Sequence, residues 1–397
     1  MPLVLFLLAI TVIATFLQTK AFVRLWRYVD REMARRPNGY HPYATVILPC
    51  KGLDPGFREN VQKLLDQDYP EFEVIFAVAA ESDPAYKELV ELSARASRKA
   101  RVVVAGIDSR RAQKINNQLC ALEQVTEQTE VLVFVDSDVI ARNDFLSRLV
   151  EPLREPQVGC TTGYRFYIAS LANWPSQLRS LWNRVTAWEM ADPGHAFAWG
   201  GAMAIKRETF IKAGVAESWD RAADDDLSLT TAVKAINLTV HFVPQCLVAS
   251  DGNSAVGEII EWTNRQLILT KVYYPKLWGR AIVRAMVMAL WLVAMVGAGL
   301  VYAMDRDPVM LNALWAGASL VLVEFIFLVI ARRLWQRVLI DNKEYIRESF
   351  ITSCAAIPVA HMVLPWVTLY SLLTNRIQWR GITYELKSPT ETLIISS

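Results

Sequence analysis

The stretch Val131-Leu-Val-Phe-Val-Asp-Ser-Asp138 decides the fold. Its first five residues are apolar and three of them are valine, the composition of a strand buried on both faces of a sheet. Charge cannot sit inside such a strand. Asp136 and Asp138 therefore belong at its carboxyl end, where open α/β sheets bind ligands. In extended backbone the i and i+2 side chains share a side, so both carboxylates can face one divalent cation. Taken alone, the pattern reads more simply as a strand closing in an Asx-turn. The rest of the chain decides between the two.

Upstream, Ala44-Thr-Val-Ile-Leu-Pro49 reads as a buried strand, and the turn from Gly52 to Gly56 leads into a helix through Leu65. Phe72–Ala79 and Arg101–Ala105 read as two more strands, separated by a polar helix from Pro84 to Arg98. A helix around Ala112–Val125 leads into the organising strand. This alternation predicts a mostly parallel sheet covered on both faces. Its strand ends would bring Glu81, Asp83, Asp136 and Asp138 to one edge.

Downstream, Ser170 to Met190 carries Trp174, Leu178, Leu181, Trp182, Val185 and Trp188 at steps of three and four, with Arg179, Asn183 and Arg184 off that face. A core helix would explain the stripe about as often, but three Trp on one face beside basic residues, with membrane anchors on either side, suit a bilayer interface better. Trp199-Gly-Gly-Ala-Met203 places two glycines at a strand start, which predicts a close approach to the backbone. Asp224-Asp-Asp226 precedes a helix from Leu227. The helix dipole favours acids there, but capping needs only one of the three, so a cation or substrate is expected nearby.

The apolar fraction of 53% is concentrated at the two ends of the 397 residues, and the net charge of +2 comes without a basic run, which speaks against nucleic acid. Residues 3–19 are apolar and long enough to span a bilayer. Lys20, Arg24 and Arg27 follow them and no positive charge precedes them. Residues 1–22 thus read as a transmembrane anchor, with a cleaved signal as the alternative, and the chain beyond as cytoplasmic. Residues 256–279 read as an amphipathic interface helix on which Trp262, Arg265 and Gln266 are neighbours. Apolar segments near 281–304, 309–331 and 351–374 make 280–375 a C-terminal membrane region, with Arg280 and Arg284 before the first and Arg332, Arg333 and Arg337 after the second. Glu324, inside a span, requires a partner or a cavity. Pro358 and Pro365 suggest that the last segment is a re-entrant hairpin returning 376–397 to the cytoplasm as a tail. The five cysteines (Cys50, Cys120, Cys160, Cys246, Cys354) lack metal-ligand spacing and read as reduced thiols.

Taken in order, Val46-Ile-Leu-Pro-Cys-Lys-Gly52, Ala79-Ala-Glu-Ser-Asp-Pro84, Lys114-Ile-Asn-Asn117, Asp136-Ser-Asp138, Gly200-Gly-Ala-Met203 and Ala223-Asp-Asp-Asp226 resemble a family-2 glycosyltransferase over about residues 43–275. Within that group the chain is most similar to the ceramide glucosyltransferase and related bacterial lipid glycosyltransferase branch. The resemblance implies an α/β fold, with residues 40–255 forming a cytoplasmic GT-A domain that binds a nucleotide-diphospho-sugar. It also implies inverting transfer of a hexose from a UDP-sugar, UDP-glucose first among them, to a ceramide- or diacylglycerol-like membrane lipid hydroxyl at the cytoplasmic leaflet. A bacterial inner membrane would be its location. By position, Asp83 would hold the nucleotide and Lys114 its phosphate or ribose. Asp136 and Asp138 would hold Mg²⁺ or Mn²⁺, with Asp136 also on the donor side, and Asp225 would be the general base. Asp224 is next in line as base, and Asp226 is left to cap the helix.

These residue types suit that chemistry. Hard carboxylates hold a cation that offsets charge on a leaving diphosphate. A carboxylate that takes the acceptor proton accelerates transfer by about 10²–10⁴-fold. One stretch departs from the family pattern of Gln or Arg, two residues, then Arg-Trp: it reads Glu258-Ile-Ile-Glu-Trp262 here. Trp262 is kept, and Arg265 and Gln266, one turn on, are expected to supply the charge and amide at the donor. Two other readings compete. A polysaccharide synthase would rely on the unaltered motif and bring more membrane helices, and a non-catalytic membrane scaffold would keep the fold without the chemistry.

Overall fold

A computed structural model of the chain describes residues 1–36, 38–169, 173–348, 350–379 and 381–396. The first helix, α1 (Pro2–Ala34), leads into an alternating region of β1 (Ala44–Pro49), α2 (Phe57–Leu65), β2 (Phe72–Val78), α3 (Pro84–Arg95), β3 (Lys99–Val104), α4 (Gln113–Leu122) and β4 (Val131–Val135). Then come α5 (Phe145–Val150), β5 (Val158–Ile168), α6 (Trp174–Thr186), β6 (Ala202–Lys206), α7 (Arg207–Lys212), α8 (Val215–Trp219), α9 (Asp226–Ala235) and β7 (Thr239–Asp251). The C-terminal part comprises α10 (Val256–Tyr273), α11 (Pro275–Asp305), α12 (Pro308–Val338), α13 (Lys343–Glu348), α14 (Phe350–Leu373), β8 (Arg376–Trp379), β9 (Ile382–Ser388) and β10 (Glu391–Ser396).

Seven strands form one sheet in the order β3-β2-β1-β4-β6-β5-β7. β1 pairs in parallel with both β2 and β4, whereas β6 runs antiparallel to β4 and β5. The organising strand lies at the middle of this order and is buried along its whole length. Val131, Val133 and Val135 pack into the core on one face, and Leu132 and Phe134 into the core on the other. On the second face the Phe134 ring meets Trp219 at 5.2 Å. Period-2 alternation with both faces apolar is what produces the unbroken hydrophobic run. The mostly parallel sheet read from the sequence is present, and the antiparallel β6 is the insertion that carries Gly200 and Gly201 to the end of β4.

Among the described residues, four helices are long and apolar enough to cross a membrane by length and composition: Pro2–Ala34, Pro275–Asp305, Pro308–Val338 and Thr352–Leu373. Val4, Leu7 and Leu8 of α1 pack on Ala294, Ala298 and Ala313, where small residues let the helices approach. A Cβ at Gly317 would lie 2.1 Å from Met295 Sδ, so a larger residue there would require the Met295 side chain to move. Phe6, Ile13, Val283, Val293, Trp315 and Leu322 point outward, an apolar belt that lipid can cover.

Several expectations change. The first helix does not stop near residue 22 but runs to Ala34, where Tyr28 and Val29 pack with β7 residue Phe242. The interface helix ends at Tyr273, because Pro275 starts the next one. Trp174 begins α6, and the expected start at Ser170 lies outside the described residues. The apolar stripe of α6 does not lie on a bilayer interface as expected but is covered by protein: Leu178 and Leu181 cluster with Leu328, Ala356, Ile357 and Ala360. The last apolar segment is one continuous helix with Pro358 and Pro365 inside it, not a hairpin of two. Its ends nonetheless reach elements next to the sheet domain. Ser353 accepts a hydrogen bond from Arg184 of α6, and Lys271 of α10 donates to the Thr374 carbonyl at 2.8 Å. The final residues are not a loose tail but a three-stranded antiparallel sheet, whose Ile377, Tyr384 and Leu386 join the core of the α/β domain.

Candidate active site

β1, β4, β6 and the start of α9 end around one cavity of about 620 Å³, closed on its far side by α10, α11 and the C-terminal sheet. Asp136 and Asp138 leave β4 here because the backbone turns as soon as the buried run is finished. Lys114, from the first turn of α4, reaches into the cavity. Its Nζ lies 2.9 Å from Asp136 Oδ1 and 3.0 Å from Asp225 Oδ2, and it donates to the Gly200 carbonyl at 3.2 Å. One ammonium thus joins the strand-end carboxylate to the carboxylate ahead of α9. Burial works against its charge, but Asp136, Asp225 and Asp226 outweigh that and hold the ammonium well above its ordinary pKa.

Asp225 is nearly inaccessible, at 4% exposure. It is fixed by Gln118 Nε2, which donates to Oδ2 at 2.8 Å, and by the Trp219 indole N–H, which donates to its backbone carbonyl at 2.9 Å. Its two neighbours have other work. Asp224 caps the helix, accepting the Leu227 amide at 2.8 Å, and Asp226 accepts the Gly200 amide at 2.7 Å. The expectation that Asp226 would be the cap and Asp224 the reserve base is thereby corrected: the backbone around α9 turns Asp224 into the helix end. Burial, then the neighbouring carboxylates, raises both acids, Asp226 to about 6 and Asp224 well above its usual value. A Cβ on Gly200 would stand 2.7 Å from Lys114 Nζ and 2.8 Å from Asp225 Oδ2. The close approach foreseen from the paired glycines is this one.

Arg165, in the middle of β5, was not singled out from the sequence. Its guanidinium spans both strand-end carboxylates, at 2.6 and 2.8 Å from Asp138 and 3.4 Å from Asp136, and lies 5.0 Å from the Trp199 ring. A charged residue inside Tyr164-Arg-Phe-Tyr-Ile168 was the available signal, because a buried strand keeps a charge only beside a partner. The bridging also tests the metal site. Asp136 and Asp138 converge on a single cationic point, as two hard-oxygen donors for Mg²⁺ or Mn²⁺ must. Among the described residues no group of three or more His, Cys, Asp or Glu is placed to hold a metal.

Trp262, Arg265 and Gln266 all line the cavity. Arg179 lies 4.1 Å from the Tyr167 ring and 5.1 Å from that of Trp262, so the retained tryptophan clamps a guanidinium there. Arg265 lies over Trp379 of β8, 5.9 Å from the ring. Glu258, in the altered motif, accepts the Ala255 amide at 2.8 Å and so closes the start of α10. Asp83 is not brought to the cavity wall. Its Oδ1 accepts the amides of Gly52 and Ala85, both at 2.9 Å, because the start of α3 and the β1 turn both present free N–H groups to it. It pins the turn that places Lys51 on the cavity rim. Glu81 is exposed, 3.5 Å from the Tyr86 hydroxyl. Trp379 joins the wall from β8, and Arg280 and Arg284 join it from the first turns of α11, segments expected to be a tail and a membrane region.

A mostly parallel sheet of this order, with two carboxylates ending β4 and a third ahead of the following domain helix, defines a GT-A glycosyltransferase domain. The chain belongs to glycosyl transferase family 21, whose profile matches residues 5–392. Ceramide glucosyltransferase of Komagataella phaffii is 48% identical over 40 residues, which cover 10% of this chain and 8% of that protein's length. Among solved structures, the mannosyltransferase PcManGT from Pyrobaculum calidifontis, in complex with GDP-Man and Mn²⁺, superposes with a TM-score of 0.53 at 18% identity, covering 90% of this chain and 99% of that one. Glucosyl-3-phosphoglycerate synthase from Mycobacterium tuberculosis, with Mn²⁺ and UDP-glucose, matches at a TM-score of 0.39 and 15% identity, over 62% of this chain and 82% of that one.

Proposed function

We propose that the protein transfers a hexose, with inversion, from a UDP-sugar to the hydroxyl of a membrane lipid, with UDP-glucose as donor and a ceramide- or diacylglycerol-like acceptor. The observation that carries this reading is the position of Lys114 between Asp136 and Asp225. It holds the carboxylate at the donor's diphosphate end and the carboxylate that serves the acceptor on opposite sides of one charge. Asp136 and Asp138 are the residues that would hold Mg²⁺ or Mn²⁺, which supplies charge to offset the leaving diphosphate. Lys114, Arg165 and Arg179 add fixed positive charge along the same wall. Asp225 accepts the proton of the acceptor hydroxyl as its oxygen attacks the anomeric carbon. The bond from that carbon to the diphosphate oxygen breaks, and the electron pair leaves with UDP. Trp262, which also lines the apolar space among the long helices, walls the side where a lipid would arrive.

Arg24 and Arg27 after the first apolar helix, and Arg280, Arg284, Arg332 and Arg333 beside the later ones, support a catalytic domain in the cytoplasm. The relationship to ceramide glucosyltransferase supports the choice of glucose and of a lipid acceptor. The test is to incubate membranes containing the protein with labelled UDP-glucose, UDP-galactose and UDP-N-acetylglucosamine, then extract lipids and identify products by mass spectrometry. A labelled lipid from one donor, inverted at the anomeric carbon, is the expected result. Label found in a polymer, or in no product with any of the three donors, overturns the reading.

A further inference from the structure

Beneath the catalytic cavity lies a second chamber of about 160 Å³, enclosed by α6, α10 and all four long apolar helices. The two spaces share Thr186, Trp262, Gln266, Leu267, Ala281 and Arg284 as common wall. The second is lined mainly by apolar side chains, among them Leu181, Phe327, Leu328, Ile357 and Leu364. It is not wholly apolar. Glu324 and His361 face each other across 3.5 Å, and the His361 ring lies 4.9 Å from Trp291. His361 is 5% exposed, and its Nδ1 is buried with no hydrogen-bond partner among the described residues.

An ionisable pair at membrane depth marks a functional cavity more often than a structural one, and a buried polar atom without a partner asks for one. Resting on the transferase reading, we propose that this chamber seats a hydrocarbon chain of the acceptor lipid while its hydroxyl stands in the first cavity at Asp225. His361 and Glu324 meet a hydrogen-bonding group, hydroxyl or amide, carried near the head of that chain. The shared wall argues for this occupant, since one molecule can place its hydroxyl in the upper space and its apolar chain in the lower one, among helices that lipid surrounds. A chain threaded past Trp262 and Gln266 would also fix the acceptor's approach to the donor and exclude water from it.

Photo-crosslinking tests the chamber without requiring turnover. The probe is a long-chain N-acyl amino alcohol with a diazirine in its chain, added to the full-length protein in lipid nanodiscs and mapped by peptide mass spectrometry. Labels are expected on α6, α12 and α14 around Leu181, Leu328 and Ile357. Unlabelled competitors should gain about fourfold in potency per added methylene until the chamber is full, then plateau. Ala360→Trp, which fills the space, should cut labelling at least fivefold while UDP-sugar affinity, measured by calorimetry, stays at the wild-type value. His361→Phe, which leaves the volume but removes the nitrogen, should cut labelling by this probe and spare labelling by a plain diazirine alkane. Labels confined to outward positions such as Val293 and Trp315, unchanged in both variants, overturn the proposal. That outcome would leave the transferase reading standing, because lipid product formation is scored separately.

Discussion

Lys114 Nζ lies 3.0 Å from Asp225 Oδ2, and the same nitrogen lies 2.9 Å from Asp136 Oδ1. In a site this enclosed, removing the shared cation leaves two carboxylates facing each other without compensation, a strongly unfavourable arrangement. Lys114→Met is therefore expected to weaken UDP-sugar binding at least tenfold and to reduce transfer by about 10²-fold or more. Lys114→Arg should not restore it, since a planar fork cannot place one charge between three oxygen acceptors as a compact ammonium does. Donor titration calorimetry and lipid-product assays on both variants check this.

Arg165 occupies the point on which Asp136 and Asp138 converge, which is also where those carboxylates would hold a divalent cation. Arg165→Ala should bind Mn²⁺ about tenfold more tightly in the absence of nucleotide, because the ion no longer displaces a guanidinium. The same variant should bind UDP-sugar more weakly, having lost a charge that can turn to the diphosphate. Mn²⁺ titration followed by electron paramagnetic resonance gives the first quantity and calorimetry the second. Unchanged metal affinity would separate Arg165 from the metal site.

Gly200→Ala places a Cβ within 2.7 Å of Lys114 Nζ and 2.8 Å of Asp225 Oδ2. The lysine or the aspartate must move, and displacements of about an ångström cost roughly 10²-fold in rate. Loss of transfer with an unchanged circular dichroism spectrum is the expected outcome.

Asp226 titrates near pH 6 and Asp224 is raised as well, by burial first and by the adjacent carboxylates next. An acid raised in the folded state keeps its proton where the unfolded chain has released it. The stability these two acids contribute is therefore fully present below about pH 4 and is lost as pH rises through about 6. Asp226→Asn stays neutral and should flatten that fall, leaving the variant roughly 5 °C more stable than the parent at pH 7. Thermal unfolding followed by tryptophan fluorescence between pH 4 and pH 7 measures the difference. A variant less stable at every pH would contradict the assignment.

Much of this was legible in the sequence, for physical reasons that differ by element. Val131–Val135 announced itself because a strand buried on two faces needs an unbroken apolar run, and the carboxylates at its end had to lie at the sheet rim. The paired glycines at Gly200 signalled a close approach, though not to what. Which of three adjacent acids faces the cavity depends on backbone angles at the start of α9, and no local pattern encodes those. Asp83 was read for its place in a motif, but helix capping and the β1 turn claimed its oxygen. Trp379 enters the site only because Ile377, Tyr384 and Leu386 dock the last strands on the domain core, a tertiary event with no signature in a short polar segment. Arg165 was visible in principle, as a lone charge in an apolar strand.

The most direct measurement is transfer and donor binding by Asp225→Asn, in which the proton acceptor is lost and the shape is kept. UDP-sugar affinity within about threefold of the parent, together with a fall of about 10²–10⁴-fold in lipid glycosylation, is the expected result. A variant that transfers sugar at the parent rate would contradict the assignment of Asp225 as the base, and with it the catalytic reading of the cavity.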